Sequence, residues 1–399
     1  MRHKFFCLES LREAREGMLW GLAPMHGITD LAMRLWMSQT SQPDICWTPF
    51  VRVTATFPGQ KLPAEFSPEL GPLSSLVNYP LFPQFLAADA DDFLRAAELI
   101  RPLSSWVELN CGCPVGRIVR KGVGSGLLQH PDRFGSFLRY LTDRLGKGRL
   151  SVKMRIGYDS PAEFEKLLDA VQSLPLALLS IHGRTRAQGY REWARWDLVA
   201  AAASRVDYPV AGSGDILSYP TYQKLSPFLD RVRLCLVGRG ALRNPWIFEE
   251  LRSGTEIVLP FEVLKLGLGV YALLGQLVRH DLPALREAIQ DGLFHASCGR
   301  DPEKWRHLFD QLLSRARRAK AGVSDLAFDE VIFSRVKMLW SFMGNSLPSV
   351  FRQSTVLQSR SFAQLIEQLD RAQALYVRDQ QTDQIPLRHD PACDRRYGK

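Results

Sequence analysis

The sequence holds no disulfide framework. Its seven cysteines are an odd number at scattered positions, whereas stapled secreted domains carry an even set. Cys111-Gly112-Cys113 is too tight for a zinc knuckle, and no second Cys or His pair stands at ligand spacing. No metal site is therefore expected. No apolar run is read as approaching the roughly 20 residues that span a bilayer. The start, Met1-Arg-His-Lys-Phe-Phe-Cys-Leu-Glu-Ser, has a basic tip but too short an apolar core for a signal peptide. A reducing compartment follows, with the cytoplasm as the expected one. The chain also lacks a Gly-x-Gly-x-x-Gly turn after its first strand candidate, where it reads Ala23-Pro24-Met25-His26-Gly27. That absence disfavours a doubly wound sheet.

What is present is an ordinary globular balance over 399 residues, 46% hydrophobic and 23% charged. This is long enough for two domains. Lys and Arg total 51 against 42 Asp and Glu, a formal charge of +9. Such an excess admits a polyanionic partner and says nothing about fold.

From Met18 to about Phe248, short apolar strands alternate with amphipathic runs of helix length. The eight strand candidates are Leu19–Pro24, Ile45–Thr48, Phe82–Leu86, Trp106–Asn110, Leu150–Arg155, Leu178–His182, Pro209–Gly212 and Leu234–Gly238. Strands alternating with helices argue for parallel pairing through βαβ units. Eight such units match a (β/α)8 TIM barrel, which typically needs roughly 250 residues. Beyond Leu251 the strand signal fades, and Glu262–Leu277, Glu303–Ala319, Phe328–Phe342 and Phe362–Tyr376 carry apolar residues at helical spacing. The expected organisation is an α/β catalytic barrel over 1–252 and an all-α domain over 253–385, joined by a linker near Arg252–Pro260. The polar residues 386–399 are expected to form a disordered tail.

Each barrel strand ends in a chemically useful group. Ala23-Pro24-Met25 frees backbone groups at a proline; Gln84 is an amide that donates and accepts. Strand four ends in Asn110, Cys111 and Cys113, followed by the glycine-rich run Gly122–Gly126. Strand five supplies Lys153 and Arg155, and strand six His182-Gly183-Arg184-Thr185. Strands seven and eight run into Gly212-Ser213-Gly214-Asp215 and Gly238-Arg239-Gly240, loops whose bare amides form the usual phosphate site of this fold. A phosphate site, Gln and Lys donors for a polar ring edge, and no metal cluster point to flavin mononucleotide (FMN) across the barrel mouth.

With these pieces in order, the chain resembles the dihydrouridine synthase family of FMN-dependent barrel enzymes that reduce uridine in tRNA. The matching stretches are Ala23-Pro24-Met25, Gln84, Glu108–Pro114, Val152–Arg155, His182–Thr185, Gly214-Asp215-Ile216 and Gly238–Ala241. Cys46–Val53 and Asn110–Pro114 are most similar to the bacterial branch acting on tRNA position 16. The resemblance implies that NADPH reduces FMN, that hydride passes to C6 of a flipped-out uracil, and that Cys113 protonates C5, with Cys111 a neighbour. It implies that Asn110, Arg155, His182 and Tyr190 hold uracil and flavin, and that Gln84 and Lys153 meet the isoalloxazine edge. Gly212, Ser213, Gly214, Gly238 and Arg239 would bind the phosphate. The helical domain would grip tRNA, and the enzyme is expected to be a monomer without a protein partner.

The chain departs from the family pattern at Ser213, where Asn is usual, and at His26, which stands for an acidic residue. The run after Cys113, with Arg117, Arg120 and Lys121, is more basic than usual, and residues 261–328 have no evident counterpart. Two rival readings share parts of this picture. One is a flavin barrel acting on a small pyrimidine-like molecule, similar to a dihydroorotate dehydrogenase; the other is an RNA-binding relative that has lost catalysis. Near the end of Glu303–Lys320, Arg315, Arg317, Arg318 and Lys320 precede Gly322 and are read as either a helix-end charge cluster or a tRNA backbone contact.

Overall fold

The computed structural model describes residues 17–57, 62, 67–70, 79–102, 104, 106–318, 327–352 and 354–388. Every strand candidate forms a strand. They are β1 Leu19–Leu22, β2 Ile45–Trp47, β3 in two pieces at Leu81–Phe82 and Gln84–Leu86, β4 Val107–Cys111, β5 Leu150–Arg155, β6 Leu178–His182, β7 Val210–Ser213 and β8 Leu234–Val237. All their pairings are parallel, and β1 pairs with both β2 and β8, which closes the ring. Pro83 splits β3, so its first piece pairs with β2 and its second with β4. Proline lacks a donor but keeps its acceptor, and the Pro83 carbonyl accepts from the Glu108 N–H at 2.9 Å.

Strands buried on both faces carry near-continuous apolar runs, and those of the barrel follow that rule. At Gly21 an added Cβ would lie 2.6 Å from Leu236 Cδ2 inside the barrel. Phe82 and Trp106 stack there with ring centres 3.7 Å apart. The outer layer includes α1 Leu31–Thr40, α2 Ala90–Ile100, α3 Pro131–Leu145, α4 Phe164–Val171 and α5 Trp196–Arg205. Most bury one stripe, but every residue of α1 is buried, because a second layer of helices lies over it.

That second layer follows α6 Arg239–Arg243 and α7 Ile247–Ser253. It comprises α8 Phe261–His280, α9 Leu282–Gln290, α10 Pro302–Arg318, α11 Glu330–Met343 and α12 Phe362–Gln380. The structure corrects two expectations here. The presumed linker ends in a strand, β9 Ile257–Pro260, and the presumed tail begins in another, β10 Gln384–Leu387; the two pair antiparallel. Ile385 and Leu387 are buried, so residues 386 and 387 belong to the folded body. Second, α8 is long and apolar enough to cross a membrane, but 78% of its apolar window is buried inside the protein. Its apolar residues face protein on all sides, as expected of a helix at the centre of a core.

Within the stretch read as unmatched, α8 packs hard onto α1 of the barrel and onto α10. Trp36 Nε1 of α1 donates to Gly267 O of α8 at 2.7 Å. Trp246 Nε1 and Trp305 Nε1 both donate to Gly299 O, at 2.7 and 3.0 Å, while Gly299 N donates to Gln39 O at 2.8 Å. At Gly269 a Cβ would lie 2.5 Å from the Phe309 ring. Glycine costs a helix interior up to about 1 kcal/mol, and here it lets α10 approach α8. At the end of α10, Arg315 pairs with Asp291 at 2.6 Å, so it is not a free cation. Lys320 and Gly322 lie outside the described residues.

Candidate active site

Strand register decides which side chains meet. β4 and β5 pair with Asn110 beside Lys153, and β5, β6 and β7 set Arg155, His182 and Ser213 in one row. Residues two apart in a strand share a face. The carboxyl-end positions therefore converge on a cavity of about 430 Å³, walled by Asn110, Cys113, Lys153, Arg155, His182 and Ser213. Ala23, Pro24, Met25, Gly214, Gly238, Arg239 and Tyr190 complete the expected part of its lining. Cavities of this size at this face of the barrel are the usual place for ligands.

Cys113 is held by a built loop. Asn110 Oδ1 accepts from the N–H groups of Gly112 and Cys113 at 3.0 and 2.9 Å. The Cys113 carbonyl accepts from Ser125 N at 3.1 Å and from Ser125 Oγ at 2.9 Å. The glycine run explains itself at Gly124, where φ is +62° and a Cβ would sit 2.9 Å from Cys113 O. Arg155 Nε donates to Gly112 O at 2.8 Å and its Nη1 to Thr185 O at 3.0 Å. Cys111 is fully buried among core residues and does not face the cavity.

Two expected contacts fall behind the wall. Gln84 is buried and does not line the cavity; its Nε2 donates to Glu108 Oε1 at 2.6 Å, and its Oε1 accepts from Asn110 Nδ2 at 2.8 Å. Gly212 sits against Trp196, where a Cβ would lie 2.2 Å from the indole ring. Its glycine is required by helix–strand packing. Tyr190 is 49% exposed and stands at the rim, its ring centre 4.2 Å from the Arg239 guanidinium.

Other parts of the site had no role assigned from sequence. Asp215, named there only as part of the loop after strand seven, has φ +60° and takes Arg184 Nη2 on both carboxylate oxygens at 2.6 Å. It also accepts from Ala194 N at 2.7 Å and Arg239 Nη2 at 3.3 Å. A Gly-Asp pair just past a barrel strand was the available signal. Phe50 and Ile28 also line the cavity, as does Phe342 of α11, which no local sequence pattern connects with the barrel mouth.

Electrostatics make the cavity a positive site. Burial holds the His182 imidazolium well below its ordinary pKa, and Arg155, Lys153, Arg184 and Arg239 push it the same way. His182 is thus neutral, and its Nδ1 is buried without a hydrogen-bond partner. Burial also lowers Lys153 and raises Glu108, and the attraction between the two opposes both shifts. The Cys113 thiol is raised by burial, partly offset by the Val115 backbone N–H and by Arg155, so it stays protonated at neutral pH. Among the described residues no cluster of His, Cys, Asp and Glu could hold a metal ion.

Comparison with known proteins bears on this geometry. The sequence model of the dihydrouridine synthase family matches residues 21–284, from β1 into α9. A tRNA-dihydrouridine(16) synthase of Escherichia coli K12 is 34% identical over 235 residues, covering 56% of this chain and 72% of the relative. One of the same name from Haemophilus ducreyi is 30% identical over 254 residues, covering 61% and 76%. Among solved structures, a morphinone reductase superposes with a TM-score of 0.44 at 11% identity, over 59% of this chain and 86% of that one.

Proposed function

The chain belongs to the dihydrouridine synthase family, and on that premise we propose that it reduces a uridine of tRNA to 5,6-dihydrouridine with FMN and NADPH. The proposed target is a D-loop uridine, position 16. The observation that carries the reading is that Cys113 lines one cavity together with Lys153, Arg155 and His182. A protonated thiol thus shares the cavity with a cluster of donors and cations.

The residues fit FMN. His182 Nδ1 is an unpartnered buried atom in the wall, and cations outnumber free carboxylates because Asp215 is committed to Arg184 and Ala194 N. At Gly238 an added Cβ would meet only Met25 Sδ at 3.6 Å and Ala23 Cβ at 3.7 Å, which leaves its backbone open to the cavity. Ser213, Gly214, Gly238 and Arg239 would hold the phosphate, and Lys153 and His182 the ring edge. Bound FMN, reduced by NADPH, would supply hydride to uracil C6.

The chain's own residues do the rest. Asn110, Arg155 and Tyr190 orient the uracil, and Phe342 and Met25 exclude water from it. Cys113 Sγ holds the proton that C5 requires, and burial keeps it there. The base must leave its stack to enter, which costs a few kcal/mol and is cheapest in a loop. The purified protein should be yellow and bleach with NADPH. Mapping dihydrouridine in tRNA from a strain lacking the gene should show position 16 unreduced; an unchanged map would refute the assignment.

A further inference from the structure

Beside the cavity lies a second, larger hollow of about 720 Å³ that shares only His26 and Phe50 with it. The loop after β4 runs from one to the other. Cys113, Pro114 and Val115 line the cavity, and Arg117, Ile118 and Lys121 line the hollow. Arg52 joins them from beyond Phe50. Arg52, Arg117 and Lys121 are exposed, and no carboxylate among the described residues pairs with them.

The two carboxylates in the hollow are already engaged. Glu69 receives Arg34 Nη1 at 2.6 Å and Leu31 N at 3.0 Å. Asp30 receives Arg335 Nη1 at 2.5 Å and Met33 N at 3.1 Å. The hollow is therefore lined by three uncompensated cations together with the apolar Phe50, Val51 and Ile118. A cationic track beside stacking faces is the pattern that holds single-stranded nucleic acid. Between hollow and cavity, His26 and Phe50 stack with ring centres 4.3 Å apart at 11°. Burial and then Arg117 hold His26 below its ordinary pKa, so the partition is a pair of neutral aromatic faces.

We propose that this hollow binds the single-stranded RNA next to the target base. Phosphates lie against Arg52, Arg117 and Lys121, one neighbouring base stacks on the apolar lining, and the His26–Phe50 pair separates it from the base in the cavity. The proposal rests on the reading of the substrate as tRNA. An extruded base leaves its flanking phosphates at the mouth of the pocket that receives it, and the hollow meets them there. Because phosphate contacts carry no sequence information, these cations set affinity and register, while the partition admits one base to the cavity.

The test is a triple variant, Arg52→Gln with Arg117→Gln and Lys121→Gln, compared with Arg133→Gln/Arg139→Gln on the outer face of α3. Affinity for a tRNA transcript is measured from low to high salt, alongside KM for tRNA and flavin content. Each lost phosphate contact on a single strand removes about 0.7 from the salt slope, so the triple variant should lose about 2 and raise KM at least tenfold. The α3 pair should keep the wild-type slope. If the triple variant fails to fold, Lys121→Gln alone, at an exposed position, should still lose about 0.7. A slope and KM unchanged by removal of these cations would overturn the hollow as an RNA site, as would a wild-type protein that does not bind tRNA. A wild-type protein that binds tRNA through these cations yet forms no dihydrouridine would refute the functional reading and leave the hollow standing.

Discussion

Asn110 owes its orientation to two residues that never reach the cavity. Glu108 accepts from Gln84 Nε2, which turns Gln84 Oε1 toward Asn110 Nδ2. The other end of the Asn110 amide then faces the N–H groups of Gly112 and Cys113. Gln84→Ala leaves a buried donor of Asn110 unpaired, at about 1–3 kcal/mol. Uridine reduction should fall about tenfold to hundredfold while flavin affinity stays within about threefold, by fluorescence titration. Glu108→Gln alone keeps a side-chain acceptor for Gln84 Nε2 and should therefore retain most of the wild-type activity. A flavin affinity that collapses in Gln84→Ala would restore a direct flavin contact.

Cys113 and Cys111 should separate cleanly. Cys113→Ala should keep flavin and NADPH oxidation and abolish uridine reduction, whereas Cys111→Ala should cost roughly 1 kcal/mol of stability and spare chemistry. The sign of the pH dependence follows from the thiol. The protonated form is the active one, and burial raises its pKa above the ordinary 9.0. Turnover with tRNA should therefore hold through neutral pH and fall in alkaline solution. It falls first as Lys153, lowered by burial to about 8, loses its proton, and then as the thiol does. An alkaline limb that is the same in Cys113→Ser as in the wild type would exclude the Cys113 thiol as the acid. At this scale most of the site was legible, because chemistry-bearing residues stand at strand ends. Gln84 misled because an amide at a strand end looks the same in sequence whether its partner is a ligand or a neighbour. The role of Asp215 escaped because its partners, Arg184 and Ala194, are distant in sequence.

The β9–β10 ribbon ties the end of the described chain to the start of the helical layer. Leu259 pairs with Ile385, and Ile257 with Leu387, all four buried. Ile385→Ala should cost about 2–5 kcal/mol, read as a lower Tm with unaltered flavin absorbance; an unchanged Tm would make the ribbon dispensable. Neither strand was readable as a strand. Each has four residues, and each holds a proline, which argues against a strand in isolation. Their pairing joins segments far apart in the chain, and short apolar runs acquire β structure from such neighbours. The barrel strands were legible for the opposite reason. They recur with helices between them, so periodicity and order reinforce each other. At α10, helical spacing marks Trp305, Leu308, Phe309, Leu312, Leu313 and Ala316 as the apolar face; Trp305, Leu308, Leu312 and Ala316 are buried, and Phe309 and Leu313 are half-buried at its edges. Spacing could not show that Asp291 neutralises Arg315, which leaves Arg317 and Arg318 as the exposed cations of that end among the described residues.

At the scale of the molecule, barrel and helical layer form a single core. α1 belongs to the barrel by sequence, yet α8 covers it, and Trp36 is fully buried with its indole N–H on Gly267 O. Arg335 of α11 reaches Asp30, the cap of α1, and Phe342 of the same helix walls the cavity. The helical layer is therefore part of what shapes the site. A chain ending at Ser253 would strip α8 from α1, expose Trp36, and leave bare the apolar face of α1 that α8 covers, each large side chain there worth about 1.5–3 kcal/mol when buried. Domain stabilities are about 5–15 kcal/mol, so these losses alone approach the total. The truncated barrel should lack a cooperative melt, bind a hydrophobic dye and retain no flavin. Trp36→Phe in the full chain gives a graded version. It removes the bond to Gly267 O, and losing that bond with its buried acceptor left open should cost about 1–3 kcal/mol. A soluble, cooperatively melting, flavin-loaded barrel would show that the layers are separable, and the helical layer would then be an accessory to the site rather than part of its wall.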